Sequence, residues 1–459
     1  MIKKVHFMGI GGSGMSAVAG IAQEMGYKVD GCDINLTSPY LAQIKDKIRI
    51  KKGHSPAHVN VEDILVVSPA VYYKYPPEAE LAKNKNPITW EKFLGTYLHK
   101  GKEVIAVSGT HGKSTTTALL SLVFEAAGFD PTVMVGAKVR EWEKNYRVGR
   151  SNIFITEADE FYENFLNYTP EAIILTNVEL DHPEYFKKLG WLTNSFKKHV
   201  RSLVGKKILV ANGDDLAVRK VVGAMAKQKL GIETYTYTIR PAKGKHEDFR
   251  AKILSRSPEG AKFKVFFKST GETEEFSTKL VGDFNVSNVM AVIALSSLYS
   301  IKPAVITKVL KNFTGIGRRM ELVGEKNGVF VYDDYAHHPT AIRETIKAVK
   351  QKHPISRIFA VVEPHSYSRV AKLLKGYTEA FSEAYSVIIA PIFKARDTEN
   401  YGMSEEKLVG LIKNDRVNTY DSFDKIAEVL PKELKKNDVV LVMGAGKSSD
   451  LAKMIIRAL

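Results

Sequence analysis

The segment Gly109-Thr110-His111-Gly112-Lys113-Ser114-Thr115 carries the residue types that handle a nucleoside triphosphate. Its glycines let main-chain N–H groups approach phosphate oxygens, Lys113 brings a cation to the terminal phosphates, and Ser114 offers a hydroxyl to Mg2+. The strict phosphate-loop spacing asks for glycine at position 107, where Val107 stands, so this is a variant loop. Glu157 opens the run Glu157-Ala158-Asp159-Glu160, and Asp181-His182 comes later; each follows an apolar run that reads as a strand. Ligands of open α/β sheets collect outside the carboxyl ends of strands, so these side chains can converge on the loop's phosphates. Mg2+ takes oxygen ligands, which makes Glu157 its natural partner and His182 an unusual one. Asp159, Glu160 and Asp181 read equally well as solvated surface acids, and His182 as a structural histidine.

A second glycine run, Gly9-Ile10-Gly11-Gly12-Ser13-Gly14, precedes Met15 and has the spacing of a dinucleotide fingerprint, with Asp33 about twenty residues on. Taken alone it predicts an NAD-dependent oxidoreductase. Its physical content is narrower: glycines admit a diphosphate whose charge is met by the N–H groups of the following helix, which UDP satisfies as well as NAD. A third group, Tyr332-Asp333-Asp334-Tyr335-Ala336-His337-His338-Pro339, lies beyond Gly317-Arg318-Arg319. Its carboxylates and imidazoles suit a metal, or equally an ammonium group and a proton shuttle, and spacing does not choose.

The elements that must position these groups alternate. Residues 5–8 form a short apolar strand, Met15, Val18, Ala19, Ala22 and Met25 mark one helix face, and Gly26 stops that helix before a strand over 27–32. This is a βαβ unit. The pattern turns mixed and polar over 87–102, then resumes with a strand at 104–107, the phosphate loop and a helix over 114–127. Between 232 and 280 the period becomes two, with Phe263, Val265 and Phe267 alternating with lysines, which predicts an antiparallel β insertion. Gly315-Ile316-Gly317 reads as a hinge, and strands at 329–332, 358–362, 387–390 and 439–443 build a last α/β unit. A chain of 459 residues divides into three at ~150 residues per domain, and the expected domains are 1–98, 99–313 and 314–459. The expected class is α/β throughout.

The 67 basic and 51 acidic side chains leave a net charge of +16, which favours anionic ligands such as nucleotides. The lysines and arginines are spread along the chain with no basic tract, which speaks against nucleic acid as a partner. No apolar run approaches the ~20 residues that span a bilayer, so no membrane partner is expected. Lys3 and Lys4 before an apolar stretch imitate a signal peptide, but Gly9, Gly11, Gly12 and Gly14 interrupt it. The single cysteine, Cys32, excludes a disulfide framework and any thiolate metal cluster, and with no secretion signal the expected location is cytoplasmic.

In order along the chain, Gly-Ile-Gly-Gly-x-Gly-Met-Ser from Gly9, the Gly109 loop, Glu157-Ala158-Asp159-Glu160, Thr176-Asn177-x-Glu179-x-Asp181-His182, Asn285-x-x-Asn288, Gly317-Arg318-Arg319 and Asp333 to Pro339 together resemble the Mur ligases. These are ATP-dependent amide-bond formers of peptidoglycan precursor synthesis. The resemblance runs from Gly9 to Gly446. It implies a Rossmann-like UDP-substrate domain, a central P-loop-type ATPase domain with the β insertion, and a Rossmann-like C-terminal domain for the incoming amino acid. It implies ATP and Mg2+ as cofactors. By the resemblance Gly109, Thr110, His111, Gly112, Lys113, Ser114 and Thr115 bind ATP with Asn285 and Asn288 at the base, and Ser114 (or Thr115), Glu157 and His182 serve the metal. Arg319, Asp334 and His338 reach phosphate and nucleotide from the last domain. Gly11, Gly12, Ser13, Gly14, Met15, Asp33, His54 and Ser68 are the expected contacts of the UDP substrate.

Within the family, Gly11 to Ser16, Pro364-His365-Ser366-Tyr367-Ser368-Arg369, and Ala395-Arg396 with Tyr401-Gly402-Met403-Ser404 are similar to members that join L-alanine to UDP-N-acetylmuramate. Phe161-Tyr162 and Pro183-Glu184-Tyr185-Phe186 are closer to members that reattach recycled murein peptide, and Lys447 stands where an acid is common. The expected partners are therefore UDP-N-acetylmuramate and a free amino acid, L-alanine first, acting on a monomer or weak homodimer. Several relatives bridge metals with a carbamylated lysine; Lys197 is the candidate here, although a helix-surface lysine is the favoured reading. An oxidoreductase would leave the second loop and Glu157 without a role, and a non-catalytic nucleotide-binding module would leave Asp334 and His338 without one.

Overall fold

The computed structural model describes residues 3–59, 63–74, 86–240 and 247–459. Among the described residues there are three sheets. The first is fully parallel, in the order Arg49–Lys52, Lys28–Asp33, Lys4–Met8, Ile64–Val67. The second has ten strands, and its middle is the parallel set Ile208–Asn212, Ala172–Leu175, Glu103–Ser108, Ile153–Ala158, Thr132–Val139. The third has six, in the order Glu321–Lys326, Val329–Asp334, Val439–Gly444, Ile358–Glu363, Ser386–Ile389, Val417–Thr419. The α/β expectation with a parallel-rich sheet in each third of the chain is borne out.

Parallel strands covered by helices on both faces read as unbroken apolar runs. Val104, Ile105, Ala106 and Val107 are buried at every position, and the helix Asp283–Leu298 is buried on nearly all sides. That double burial explains why the central strands were visible in sequence and why none of them alternates.

The 232–280 insertion departs from expectation in one respect. Glu233–Thr238 pairs parallel with Ile208–Asn212, and Phe249–Ser257 pairs parallel with it in turn. Only from there does the sheet turn antiparallel, through Gly260–Phe267 and Thr273–Thr278. The alternation of Phe263, Val265 and Phe267 belongs to Gly260–Phe267, which is antiparallel to both neighbours with one wet face, and it carries no information on Glu233–Thr238 before it. The insertion is thus the far edge of the ten-stranded sheet.

The first and second units are packed together at the site. A Cβ on Gly20 of the helix Ser13–Glu24 would lie 2.3 Å from the Tyr146 ring, and Asn145 donates to the Ser13 carbonyl at 3.0 Å. The first glycine turn is thereby fixed relative to the central sheet.

Candidate active site

The strand Glu103–Ser108 runs into the loop at 109–112, and the helix Lys113–Ala126 leaves it. Gly109 and Gly112 have φ of +136° and +83°, and the loop also needs their lack of a Cβ. A Cβ would lie 2.1 Å from Thr176 Oγ1 at Gly109 and 2.4 Å from Asn288 Oδ1 at Gly112. The loop is lashed to the next strand end: His111 N donates to Asn177 Oδ1 at 2.8 Å, Thr176 Oγ1 to the His111 carbonyl at 2.8 Å, and Thr110 Oγ1 to the Glu179 carbonyl at 3.0 Å. No side chain caps the helix at Gly112, so its first N–H groups stay available to an anion. Asn285 and Asn288 are buried behind the loop, and Asn288 donates to Asn285 Oδ1 at 3.4 Å.

Lys113 Nζ donates to the Gly109 carbonyl at 2.6 Å and to Glu160 Oε2 at 2.8 Å, with Asp159 Oδ1 3.8 Å away. Burial works against the ammonium, yet Glu160 and then Asp159 outweigh it and hold its pKa above the ordinary lysine value. These carboxylates stand in for the charge that phosphates would bring. Glu157 accepts from the Gly136 N–H and faces Ser114; burial raises its pKa while the Gly136 N–H, Lys113 and Ser114 pull the other way. Glu160 is not the solvated surface acid that sequence allowed: it is 1% exposed, and its Oε1 has no hydrogen-bond partner among the described residues. Ser114 and Glu157, which face each other, offer the hard oxygen donors that fit Mg2+. Ligand-capable atoms of Asp159, Glu160 and His182 also lie within 4.8 Å of one another. His182 has φ +52°, a conformation a non-glycine residue holds only when its surroundings impose it.

The third unit closes over this strand end. Arg369 Nε donates to Asp181 Oδ1 at 2.8 Å, and both side chains are under a tenth exposed. Burial alone would raise the Asp181 carboxyl, but Arg369 and then His182 hold it well below the usual range. Thr340 Oγ1 donates to Glu179 Oε1 at 2.6 Å, His338 Nε2 meets the Leu180 carbonyl at 3.1 Å, and the rings of His111 and His338 are 4.9 Å apart. Asp181 is therefore a second acid whose surface reading fails. Arg369 was quoted in sequence only as part of a family segment, and no residue pattern marks it as the arginine of this contact. Its signal was the buried partner, which only the fold supplies.

Arg319 stacks over Tyr335, 5.0 Å from its ring centre, and its charge is felt by both Glu157 and Asp334. Asp334 accepts from Met320 N and Ala336 N, each at 2.7 Å, so it holds the arginine loop in place. In the first unit, Asp33 plays a similar part. It accepts from Gly11 N at 2.7 Å and Asn35 N at 2.8 Å. Ser68 packs against Gly9, and Gly14 lies against the Trp90 ring. Gly12 has nothing within 3.8 Å of a would-be Cβ and Ser13 begins a helix without a side-chain cap, which leaves an open anion-binding end next to buried Met15. His54 Nδ1 lies 3.6 Å from Sγ of Cys32, which is next to Asp33 in sequence. Lys197 sits on the helix Leu189–Arg201 and donates to Asn194 at 3.3 Å.

Three family descriptions match in succession: Mur ligase family, catalytic domain, over residues 4–99; Mur ligase middle domain over 107–296; and Mur ligase, glutamate ligase domain, over 318–446. The chain is 36% identical to UDP-N-acetylmuramate–L-alanine ligase of Alkaliphilus metalliredigens, covering 99% of this chain and 97% of that one. It is 32% identical to the enzyme of the same name from Caldicellulosiruptor bescii, with 99% of each covered. Among solved structures, UDP-N-acetylmuramate-alanine ligase from Thermotoga maritima aligns with a TM-score of 0.80 at 26% identity, covering 100% of this chain and 99% of that one. A murein peptide ligase from Psychrobacter arcticus shares the fold, with a TM-score of 0.73 at 24% identity over 99% and 98% of the chains. The order of motifs, the three sheets and these likenesses agree, and the chain belongs to the Mur ligase family.

Proposed function

We infer that this protein is an ATP-dependent, ADP-forming ligase that joins L-alanine to UDP-N-acetylmuramate in peptidoglycan precursor synthesis. The observation that carries the reading is the Gly109 loop with Lys113 held by the buried Glu160 carboxylate beside Glu157, under a third unit clamped on by Arg369. The full-length relatives named for this reaction support the choice of acceptor over a recycled peptide.

A carboxylate resists attack by an amine because its leaving group would be oxide. ATP supplies the phosphoryl group that makes it an acyl phosphate, and Mg2+ neutralises charge on the phosphates as it moves. The chain's own part is to position and to shield. The amides at the start of the helix Lys113–Ala126 cradle phosphate oxygens, Lys113 leaves Glu160 for the terminal phosphate, and Ser114 and Glu157 would hold the cation. Asn285 and Asn288 are proposed at the base. Arg319 reaches the phosphates from the third unit, with Asp334 keeping its loop in register and His338 tying that unit to the Leu180 carbonyl. The open end at Gly12 and Ser13 takes the UDP diphosphate, with Gly11, Gly14, Met15, Asp33, His54 and Ser68 shaping its walls. Closure keeps water from the acyl phosphate. A cavity of about 430 Å3 lined by Glu363, Phe393, Lys394 and Ala395 gives a small amino acid room at the carboxyl ends of the third sheet. Domains of 1–98, 99–313 and 314–459 suit this division of labour.

Phosphate release from ATP, with UDP-N-acetylmuramate and each candidate amino acid or peptide, tests the reading. Release that needs both substrates and is fastest with L-alanine is expected. Release driven only by a peptide, or hydride transfer to a nicotinamide without ATP, would overturn it.

A further inference from the structure

The covered face of the first sheet carries a group of side chains that the ligase reaction does not use. His6 pairs with Asp30 and Met8 with Cys32 across adjacent strands, so His6, Asp30 and Cys32 fall on one face. The segment through His54 and His58 covers that face. His6 and Cys32 are fully buried. His6 Nε2 lies 3.4 Å from Cys32 Sγ, and Cys32 Sγ lies 3.6 Å from His54 Nδ1. Ligand-capable atoms of His6, Cys32 and His58 all lie within 4.8 Å of one another. His58 Nδ1 is shielded from solvent and has no hydrogen-bond partner among the described residues.

We propose that His6, Cys32 and His58 form a mononuclear zinc site. One thiolate makes no cluster, but with two imidazoles it offers three corners of a tetrahedron and leaves the fourth to water. Zn–S and Zn–N bonds of about 2.3 and 2.0–2.1 Å at the tetrahedral angle put sulfur and nitrogen about 3.6 Å apart. The sulfur–nitrogen distance from Cys32 to His6, 3.4 Å, is already close to that edge length. The outer shell is in place as well. His6 Nδ1 is 2.6 Å from Asp30 Oδ1, the carboxylate that fixes the tautomer and turns the Nε2 lone pair toward the sulfur. Burial pushes the Cys32 thiol up to about 12, so the metal itself has to displace the proton. The Cys32 S–H bond is exchanged for an S–Zn bond, and the proton leaves to solvent. The Cys32 carbonyl meanwhile accepts from Gly9 N at 2.8 Å and Ile10 N at 3.2 Å, so a filled site stiffens the first glycine turn from behind.

The test uses the full-length protein, stripped with a chelator and titrated with Co2+ alone. One equivalent of Co2+ giving a thiolate-to-cobalt charge-transfer band, with the intense visible bands of four-coordination, and bleached by one equivalent of Zn2+, is expected. Cys32 is the single cysteine in the sequence, so the band has one source. Cobalt at Glu157 or His182 would give no thiolate band, which separates this site from the ligase centre. Cys32→Ser should abolish the band, His58→Ala should weaken binding at least tenfold, and Asp30→Asn should weaken it 10–100-fold. A folded wild-type protein with no thiolate band at saturating Co2+ overturns the proposal. So does a band of unchanged affinity in both His6→Gln and His58→Ala.

Discussion

Two glycine-rich turns join a parallel strand to a helix in this molecule, and they close on different partners. The turn at Gly9 folds onto its own acid: Asp33 accepts the Gly11 amide, and no lysine enters the loop. The turn at Gly109 carries Lys113, which reaches back to the Gly109 carbonyl and across to Glu160, just past the end of the neighbouring strand Ile153–Ala158. A bare helix end suits a diphosphate that stays where it is bound. A cation balanced by movable carboxylates suits a phosphoryl group that arrives, reacts and leaves. The same backbone geometry thus serves binding in one place and transfer in the other, and the difference lies in one lysine and the acids around it.

The largest way to break that contrast is Lys113→Ala, which should cut ATP-dependent phosphate release by about a thousandfold or more, as for loss of other preorganised charge-stabilising groups. Affinity for UDP-N-acetylmuramate should be unchanged, and isothermal titration checks it. Next is Arg369→Ala. It leaves the Asp181 carboxylate buried without its guanidinium and should cost about 3 kcal/mol of stability in denaturant unfolding. The two turns can then be set against each other. Gly112→Ala drives a Cβ into Asn288 at φ +83°, and should raise the KM for ATP by about 10–100-fold with little change for the UDP substrate. Gly11→Ala drives one into Asp33 Oδ2 at 2.8 Å and should do the reverse. Smaller still is an acid effect. Burial would raise the Glu179 carboxyl, but His111 and His338 bring it down to about 2, so its contribution is full above about pH 4 and is lost as pH falls toward 2. Glu179→Gln should flatten that decline in thermal midpoint. Lys197→Ala, on a helix surface, should leave turnover within about twofold.

Both glycine turns were legible in sequence because their chemistry is local: a loop, a helix start and one acid or cation within a short reach. The buried parallel strands were legible for a similar reason, since a run such as Val104 to Val107 needs no partner to look like a strand. Glu160, Asp181 and Arg369 were hidden. An acid at a strand end looks the same whether water or a guanidinium 188 positions away faces it, and pattern carries no information on that pairing. His182 at φ +52° was equally invisible, because nothing short of the fold marks a residue as forced. The parallel pairing of Glu233–Thr238 was missed since the alternation belongs to Gly260–Phe267 and says nothing of a strand earlier in the chain.

The account rests on the Gly109 loop delivering a phosphoryl group to a carboxylate oxygen. UDP-N-acetylmuramate labelled with 18O in both oxygens of its lactyl carboxylate, turned over with ATP and L-alanine, tests this directly. One labelled oxygen in each phosphate released is the predicted result; phosphate free of label would contradict it.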